Sequence, residues 1–579
     1  MILSLIVFIP LIFLTVILFI PRRKDKLFHI LTIISSGLQL SLSILAMALF
    51  RTGPGAPAGI NNELAFQLVE KAGWIQMSLG HSGLLKIDYF MGLDGISMPL
   101  VLMSALAIFI ASVASWTVNK KIKGYFLLFL MLSSSVMGCF MALDFFLFYI
   151  FFEFMLLPMY FLIGIWGGPR SEYAAIKFFL YTLLGSVLIL IVMISLYVSA
   201  YDPVQTGIEA GVISSSEKVT EAEVHHVQDM VLSGEISPNR VVRTFNMITM
   251  TDARNFMPGS LLSLTGKLKI AGMAPRLLAF LLLLIGFAIK LPSVPLHTWL
   301  PDAHVEAPTP ISIILAAILL KTGGYAIIRI AYGIFPEGGI HFAWIIAVFG
   351  LVSIIYGAYN ALAMKDLKKM IAYSSVSHMG FVMLGLASFT IEGINGAVFQ
   401  MVSHGILSSM LFLIAGVIYD RTQDRMIENY SGLAGKMPQF TAAVVVAFFA
   451  SLGLPGLSGF IGELFVFLGS FNSHIVNQLI PRWIPVLATA GILLSASYFL
   501  WTLQRMFFGN YWVREPAWEI NMKDLGRREI FMFAPLIAAT LAIGIFPSLI
   551  TGITENSVSV LVGDLYNAGM NHLHTIGIF

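Results

Sequence analysis

Residues 275–330 read PRLLAFLLLLIGFAIKLPSVPLHTWLPDAHVEAPTPISIILAAILLKTGGYAIIRI, and this stretch decides the fold. An apolar run ends in Lys290, breaks at Pro292 and Pro295, and is followed by a second apolar run with Lys321 near its middle. About 20 apolar residues in a helix cross about 30 Å of hydrocarbon. A lysine at that depth costs about 2.5–3.5 kcal/mol on insertion scales. Proline inside a span removes a donor and frees carbonyls that need water or polar partners. The stretch therefore reads as two membrane spans, the first broken, whose cations face a hydrated or paired interior.

The rest of the chain agrees. Of 579 residues, 58% are hydrophobic and 11% charged, where a soluble domain has about 25% charged. A soluble, disordered or nucleic-acid-binding protein is excluded. Net charge is +3, from 34 basic and 31 acidic residues, too balanced to imply an acidic partner. The single cysteine, Cys139, cannot make an internal disulfide, an iron–sulfur cluster or a cysteine-based zinc site. Neither a Walker A pattern nor a GxGxxG after a strand is present, so nucleotide chemistry is not expected in this chain.

An all-α polytopic membrane protein follows. Its fourteen expected spans are 2–20, 28–50, 94–117, 124–142, 145–166, 174–200, 275–291, 309–333, 341–364, 371–389, 393–419, 437–470, 483–507 and 530–551. Asp144 divides the long apolar run between Gly124 and Gly168. Arg22, Arg23, Lys24 and Lys26 follow the first apolar segment, whereas a cleaved signal carries its charges before it, so a retained first span is expected. With the N-terminus outside, one set of short loops collects most of the basic residues, among them Lys120, Lys121, Lys123, Arg170, Lys365, Lys368, Lys369, Arg421, Arg425, Arg527 and Arg528. The opposite short loops hold Arg51, Lys71, Lys86 and Arg482. The basic side is cytoplasmic, which puts both termini and the polar segment 201–273 outside. In that segment, which includes Glu217 and Lys218, Val224, Val227 and Val231 recur at helical spacing and predict a short surface helix within a solvated loop. His225 and His226 have no further ligands at a recognisable spacing, so no metal site is expected.

Ionisable groups inside the spans carry the function. Glu153 is mid-span in helix 5, Lys290 near the inner end of helix 7, Lys321 near the middle of helix 8. His378 and His404 lie in helices 10 and 11, and Glu463 lies in helix 12. Glu153, Lys321 and Glu463 left in lipid would cost about 8–10 kcal/mol, comparable to a domain's net stability. Lys177, four residues into helix 6, is also within reach of the inner interface. Helix 12 repeats the interruption of helix 7, with Gly453, Pro455, Gly456 and Gly459 preceding Glu463. Two broken helices five spans apart suggest inverted repeats, helices 4–8 and 9–13, a pattern that marks ion pathways in transporters. The expected divisions are 1–123 (helices 1–3), 124–333 (first repeat), 334–507 (second repeat) and 508–579 (helix 14 and a tail).

FFEFMLLPMYFLIGIWGG from Phe151, the block from Lys290 to Ser312, LLKTGGYAIIRI from Leu319, DLKKMIAYSSVSHMGFV from Asp366 and LPGLSGFIGELFVF from Leu454 resemble the antiporter-like, proton-translocating subunits of respiratory complex I. The resemblance covers essentially the whole chain. It implies a fourteen-helix fold and proton-path roles for Glu153, Lys290, Lys321, His378 and Glu463, with Lys177, His297 and His404 secondary. Glutamate at 463 resembles one branch of that family; the L and N branches and the antiporter homologues carry lysine there. The sequence stops soon after helix 14, without the long lateral helix of the L branch. The segment 201–273 is longer than the family pattern.

The resemblance implies a subunit of a proton-translocating NADH:quinone oxidoreductase in the bacterial inner membrane. Flavin, iron–sulfur clusters and quinone would belong to partner subunits, and the partners are other membrane subunits, especially L-like and N-like ones. In the expected mechanism Glu153 and Lys290 form a switching ion pair. Lys321 relays protons through water and His378 or His404 towards Glu463. A large subunit of an Mrp-type sodium/proton antiporter is the alternative. A solute permease would not need an axis of alternating acids and bases, and a scaffold would not need buried charges at all.

Overall fold

A computed structural model describes residues 1–53, 57, 59, 63–78, 80, 83–214, 219–266 and 268–578. Glu217 and Lys218, read as part of the polar loop, lie outside the described residues. Thirteen helices among the described residues are long and apolar enough to cross a membrane. Helix 7 is the fourteenth: its first half, Pro275–Lys290, has only 16 residues because the chain leaves the helix at the expected prolines.

The break in helix 7 occupies residues 291–298, and the chain then re-enters a helix at Trp299–Glu306. Helix 7 therefore does not end at 291. Lys290 terminates the first half-helix, 6% exposed, with a second half-helix between it and the basic-loop side. The freed backbone is satisfied internally, as lipid requires. Trp299 Nε1 donates to the Ile289 carbonyl at 2.8 Å, and Val294 N donates to Ser353 Oγ at 3.0 Å. Helix 12 behaves alike, with Pro438–Ser451 and Ser458–Val476 on either side of residues 452–457. Helix 5 begins at the expected place, where the Asp144 side chain accepts from Leu147 N at 3.0 Å. It is interrupted at Met155, between Phe145–Phe154 and Leu156–Trp166.

Helix 8 (Thr309–Tyr332) contains two π-helical turns, Leu315–Leu319 and Ile327–Tyr332, on either side of the lysine-bearing turn Leu320–Ala326. The most apolar windows of helices 8 and 11 (Ile391–Thr422) are fully buried, and that of helix 10 (Leu367–Ala387) is 94% buried. Helices 1 (Ile2–Phe19) and 14 (Arg527–Ile545) bury a third of theirs or less and present apolar faces outward. Lys321, His378 and His404 thus sit on the innermost helices.

Three elements are more ordered than the expected loops and tail. The segment read as a short loop before helix 3 is a hairpin, β1 (Gln67–Ser78) against β2 (Leu84–Leu93), with Lys71 opposite Phe90. Strand β2 buries Ile87, Met91 and Leu93 on one face and Phe90 on the other, where it meets Phe66, Leu143 and Ile248. The segment 201–273 is a folded cap, with helices Pro203–Ala210 and Glu221–Ser233 closing over Tyr201, Ile213, Val227, Val231, Ile236 and Val241. The expected surface helix is therefore present, opened by a capping box between Thr220 and Glu223. β3 (Val242–Thr244) pairs in parallel with β2 and fastens cap to hairpin. Finally, helix 14 stops at Ile545, and the expected tail is a 28-residue helix, Ser548–Thr575. Its Ser557 Oγ accepts from Gly95 N at 3.1 Å, on the face that carries the hairpin. Its Thr554 donates to Asn395 Oδ1 of helix 11 at 2.7 Å.

Candidate functional site

Lys321 is completely buried, and its Nζ has two neighbours: the Ala316 carbonyl at 2.5 Å and His404 Nδ1 at 2.6 Å. A helical side chain leans towards the helix N-terminus, so the amine sits about a turn below its own Cα. The carbonyl it meets lies inside the first π turn, a disturbance of the helical ladder that recurs at functional sites.

From His404 the row continues. Its ring centroid is 5.5 Å from that of His378, whose Nδ1 stands 3.3 Å from Glu463 Oε1. Gln400 Nε2 approaches the same Nδ1 at 3.3 Å. A ring nitrogen accepts when bare and donates when protonated. Gln400 and Glu463 therefore suit the two protonation states in turn. The break in helix 12 wraps the carboxylate closely. Gly453 has φ +83°, and a Cβ there would lie 3.0 Å from Glu463 Oε2. Lys321, His404, His378 and Glu463 thus form one buried row across helices 8, 11, 10 and 12.

Glu153 and Lys290 lie beside the break in helix 7. Ser186 Oγ of helix 6 (Ser171–Ser199) donates to Glu153 Oε1. Lys290 Nζ donates to the Phe152 carbonyl at 2.7 Å and stands 3.1 Å from the centre of the Phe152 ring, where a cation meets the negative face of the π system. The ammonium is held by the residue next to Glu153, and the two side chains make no ion pair within 4 Å in this arrangement. Helix 8 reaches the break through Gly323, where a Cβ would stand 2.6 Å from Leu291 N. Only a bare backbone allows that approach.

Lys177 pairs with Asp302 of the second half of helix 7 at 2.7 Å. His297 is 2% exposed, packs against the Tyr356 and Tyr373 rings, and has no hydrogen-bond partner at either ring nitrogen. His297 lies within the break, Lys177 reaches the half-helix that follows it, and both stand outside the row.

Several residues escaped the sequence reading. Arg329, two helical turns beyond Lys321, pairs with Asp94 at the start of helix 3, and both are about 95% buried. Eight-residue spacing from Lys321 was the available signal. His304, seven residues after His297, is fully buried. Lys368 was counted among the loop cations, yet it is 5% exposed and donates to the Ala307 carbonyl at 2.6 Å. Arg276, also buried, meets Glu337 at 2.5 Å, and His572 of the last helix meets the other oxygen of Glu337 at 2.9 Å. No local pattern marks that trio, whose members are 61 and 235 residues apart.

Two broken helices, an innermost layer of buried helices and a row of titratable groups across them define an ion-translocating membrane fold. The chain belongs to the family described as NADH:quinone oxidoreductase/Mrp antiporter, transmembrane, which matches residues 142–210 and 245–483. It is 38% identical over 507 residues to NADH-quinone oxidoreductase subunit M of Rhodobacter capsulatus, covering 88% of this chain and 86% of that protein. It is 35% identical over 567 residues to subunit M of Rickettsia bellii, covering 97% and 98%. A chain of respiratory complex I from Thermus thermophilus superposes with a TM-score of 0.73 at 27% identity, over 98% of this chain and all of that one. A chain of the Mrp complex from Dietzia shares the fold, with a TM-score of 0.70 at 19% identity over 99% of each chain.

Proposed function

We propose that this chain is an M-type membrane-arm subunit of an NADH:quinone oxidoreductase, moving protons while other subunits pass electrons from NADH to quinone. The observation that carries this reading is the buried row Lys321–His404–His378–Glu463, whose side chains all take up and release protons. Lys321 is the central relay, His404 and His378 pass the proton on, and Glu463 delivers it. Glu153 and Lys290 act as a switch. When the carboxylate holds the ammonium, the charge is compensated; when they part, the lysine gives up its proton. The placement of Lys290 on Phe152 is one of the two arrangements such a switch needs. Lys177 and His297, at the break, are secondary parts of the path.

Flavin, iron–sulfur clusters and quinone belong to partner subunits in this reading. The neighbours are L-like and N-like antiporter subunits, and the membrane is the bacterial inner membrane. The face bearing the hairpin, the cap and the last helix is exterior, because the opposite short loops hold the basic residues. Residues 124–333 and 334–507 act as the two inverted halves of the pathway, with 1–123 and 508–579 as flanking elements. Copurification tests the assignment. Isolation with NADH-oxidising and iron–sulfur subunits is the expected result; recovery only with small antiporter subunits would favour an Mrp-type antiporter.

A further inference from the structure

The turn that joins helix 4 (Ile122–Met141) to helix 5 is built into the hairpin face as a short extended segment. Leu143 N donates to the Phe90 carbonyl of β2 at 2.9 Å, and Ala142 bridges Met91. On the other edge Phe145 N donates to the Phe245 carbonyl at 2.8 Å, and Met247 N to the Leu143 carbonyl at 3.0 Å. Residues 142–145 are thus wedged between the hairpin and the cap. Asp144 stands in the middle of the wedge, between the two spans and 1% exposed. Its Oδ1 caps helix 5 by accepting from Leu147 N, and its Oδ2 accepts from Asp88 N at 3.4 Å. Asp88 is a second buried acid, 8% exposed, and its Oδ1 has no hydrogen-bond partner.

Helix capping alone does not account for this carboxyl, because Ser, Thr or Asn would cap as well without burying a charge. An acid in such a place needs a cation or a proton. Among the described residues no cation lies within 4 Å of Asp144. Lys86 stands 3.7 Å from Asp88, Lys71 pairs with Glu63, and Arg243 faces Tyr197. The cap also brings Asp202, and helix 5 itself carries Tyr149 and Glu153. Burial pushes the Asp144 carboxyl up to about 7, against the hydrogen bonds from Leu147 and Asp88 and with help from the Asp88 charge. Solvent is close. The Asp88 and Lys86 side chains are 11% and 18% exposed, and Gly73, opposite Asp88 on β1, puts no side chain over it.

We propose that Asp144 is a second proton-binding site of this chain, outside the row, through which the acidity of the exterior sets how firmly helix 5 and its Glu153 are seated. The inference rests on the proton-translocating reading and the orientation given above. In the step, a hydronium ion at the exterior face gives its proton to the Asp144 carboxylate, leaving water and a neutral acid. The reverse step returns the proton, and no electrons move. The neutral acid still accepts from Leu147 N, so the cap persists while the buried charge beside Asp88 is removed. An acid exterior therefore firms the wedge, and an alkaline one loosens it. Glu153 lies nine residues along the same helix, about 13 Å away. A firmer seat holds it more tightly, so the switch slows as the side receiving the protons becomes acid.

Hydrogen exchange in the intact complex tests this, with protection taken relative to the intrinsic rate at each pH. An opened wedge exposes Asp144, whose ordinary value is 3.8, while the closed one holds the proton up to about 7. The closed form binds the extra proton between those values, so opening becomes easier as pH rises through them. Protection of Leu143, Phe145 and Met247 is expected to fall by up to about tenfold per pH unit until about pH 7, then level off. A weaker slope of the same sign is expected along helix 5 to Glu153. Asp144→Asn, which caps without titrating, is expected to flatten the profile, and Asp88→Asn to move its end to lower pH. A wild-type profile without slope, or a slope that survives Asp144→Asn, overturns the proposal. Where that variant does not assemble, an end unmoved in Asp88→Asn overturns it. A slope confined to the wedge, with none at Glu153, refutes the link to the switch. In liposomes driven by NADH added outside, acidifying the lumen is expected to slow coupled turnover more in the wild type than in Asp144→Asn; equal slowing refutes sensing from the exterior. Undiminished pumping in Lys321→Gln overturns the proton-translocating reading, on which the exchange profile does not depend.

Discussion

At the scale of single residues, the sharpest test is Glu153→Gln. The amide keeps shape and the hydrogen bond with Ser186 but removes the negative charge beside the Phe152 carbonyl that holds Lys290. Coupled NADH:quinone turnover should fall on the order of 10²-fold, with the complex intact on a native gel. A merely structural carboxylate predicts poorer assembly and normal specific activity in what survives. Glu463→Ala should likewise cripple pumping without disassembly, and Glu463→Asp should retain more, because the shorter acid can still exchange a proton near His378. Wild-type pumping in both variants would reduce Glu463 to a packing residue. These positions were legible because an ionisable group stands out against an apolar run. His304 and Lys368 were not: one lies in a stretch already polar, HTWLPDAHVE, and the other sits beside true loop cations. Burial of such residues is a tertiary fact that no local contrast reports.

Among the elements, the spans were readable because the bilayer imposes length and polarity on them, and the two breaks because proline and glycine announce them. The hairpin and the last helix were hidden for the opposite reason. They lie outside the apolar runs, and the last helix alternates Ile550, Ile553 and Leu561 with polar residues. That helix makes a prediction of its own. Burial alone would push the Glu337 carboxyl upward, but Arg276 and His572 outweigh burial and hold it down at about 2. A carboxyl depressed in the folded state stabilises above its unfolded value, near 4.3–4.5, and loses that contribution as pH falls towards 2. Hydrogen-exchange protection across 548–575, taken relative to the intrinsic exchange rate at each pH, should therefore fall between about pH 4.5 and 2, before that of the spanning helices. Glu337→Gln should loosen the helix at neutral pH by about 3–5 kcal/mol, since Arg276 is left as a buried charge without its counterion. Unchanged exchange in that variant would show that apolar packing alone holds the helix.

For the whole molecule, the hairpin, the cap and the last helix share one face, and the test is which face of the membrane that is. Cys139 is fully buried, so a cysteine placed at the exposed Ser214 reports with little background. An impermeant thiol reagent should label Ser214→Cys in right-side-out vesicles; labelling only in inverted vesicles would reverse the orientation and the direction of pumping. The shared face also has a consequence for biogenesis. The hairpin is made early, but its strand β2 finds β3 only after helices 3 to 6 have been inserted. Gly95, Glu337 and Asn395 wait for residues 554–572, the last of these segments to leave the ribosome. The last helix is thus a seal applied to a finished bundle. A chain interrupted before it would leave Gly95, Glu337 and Asn395 without these partners, an unclosed polar seam on an otherwise assembled bundle.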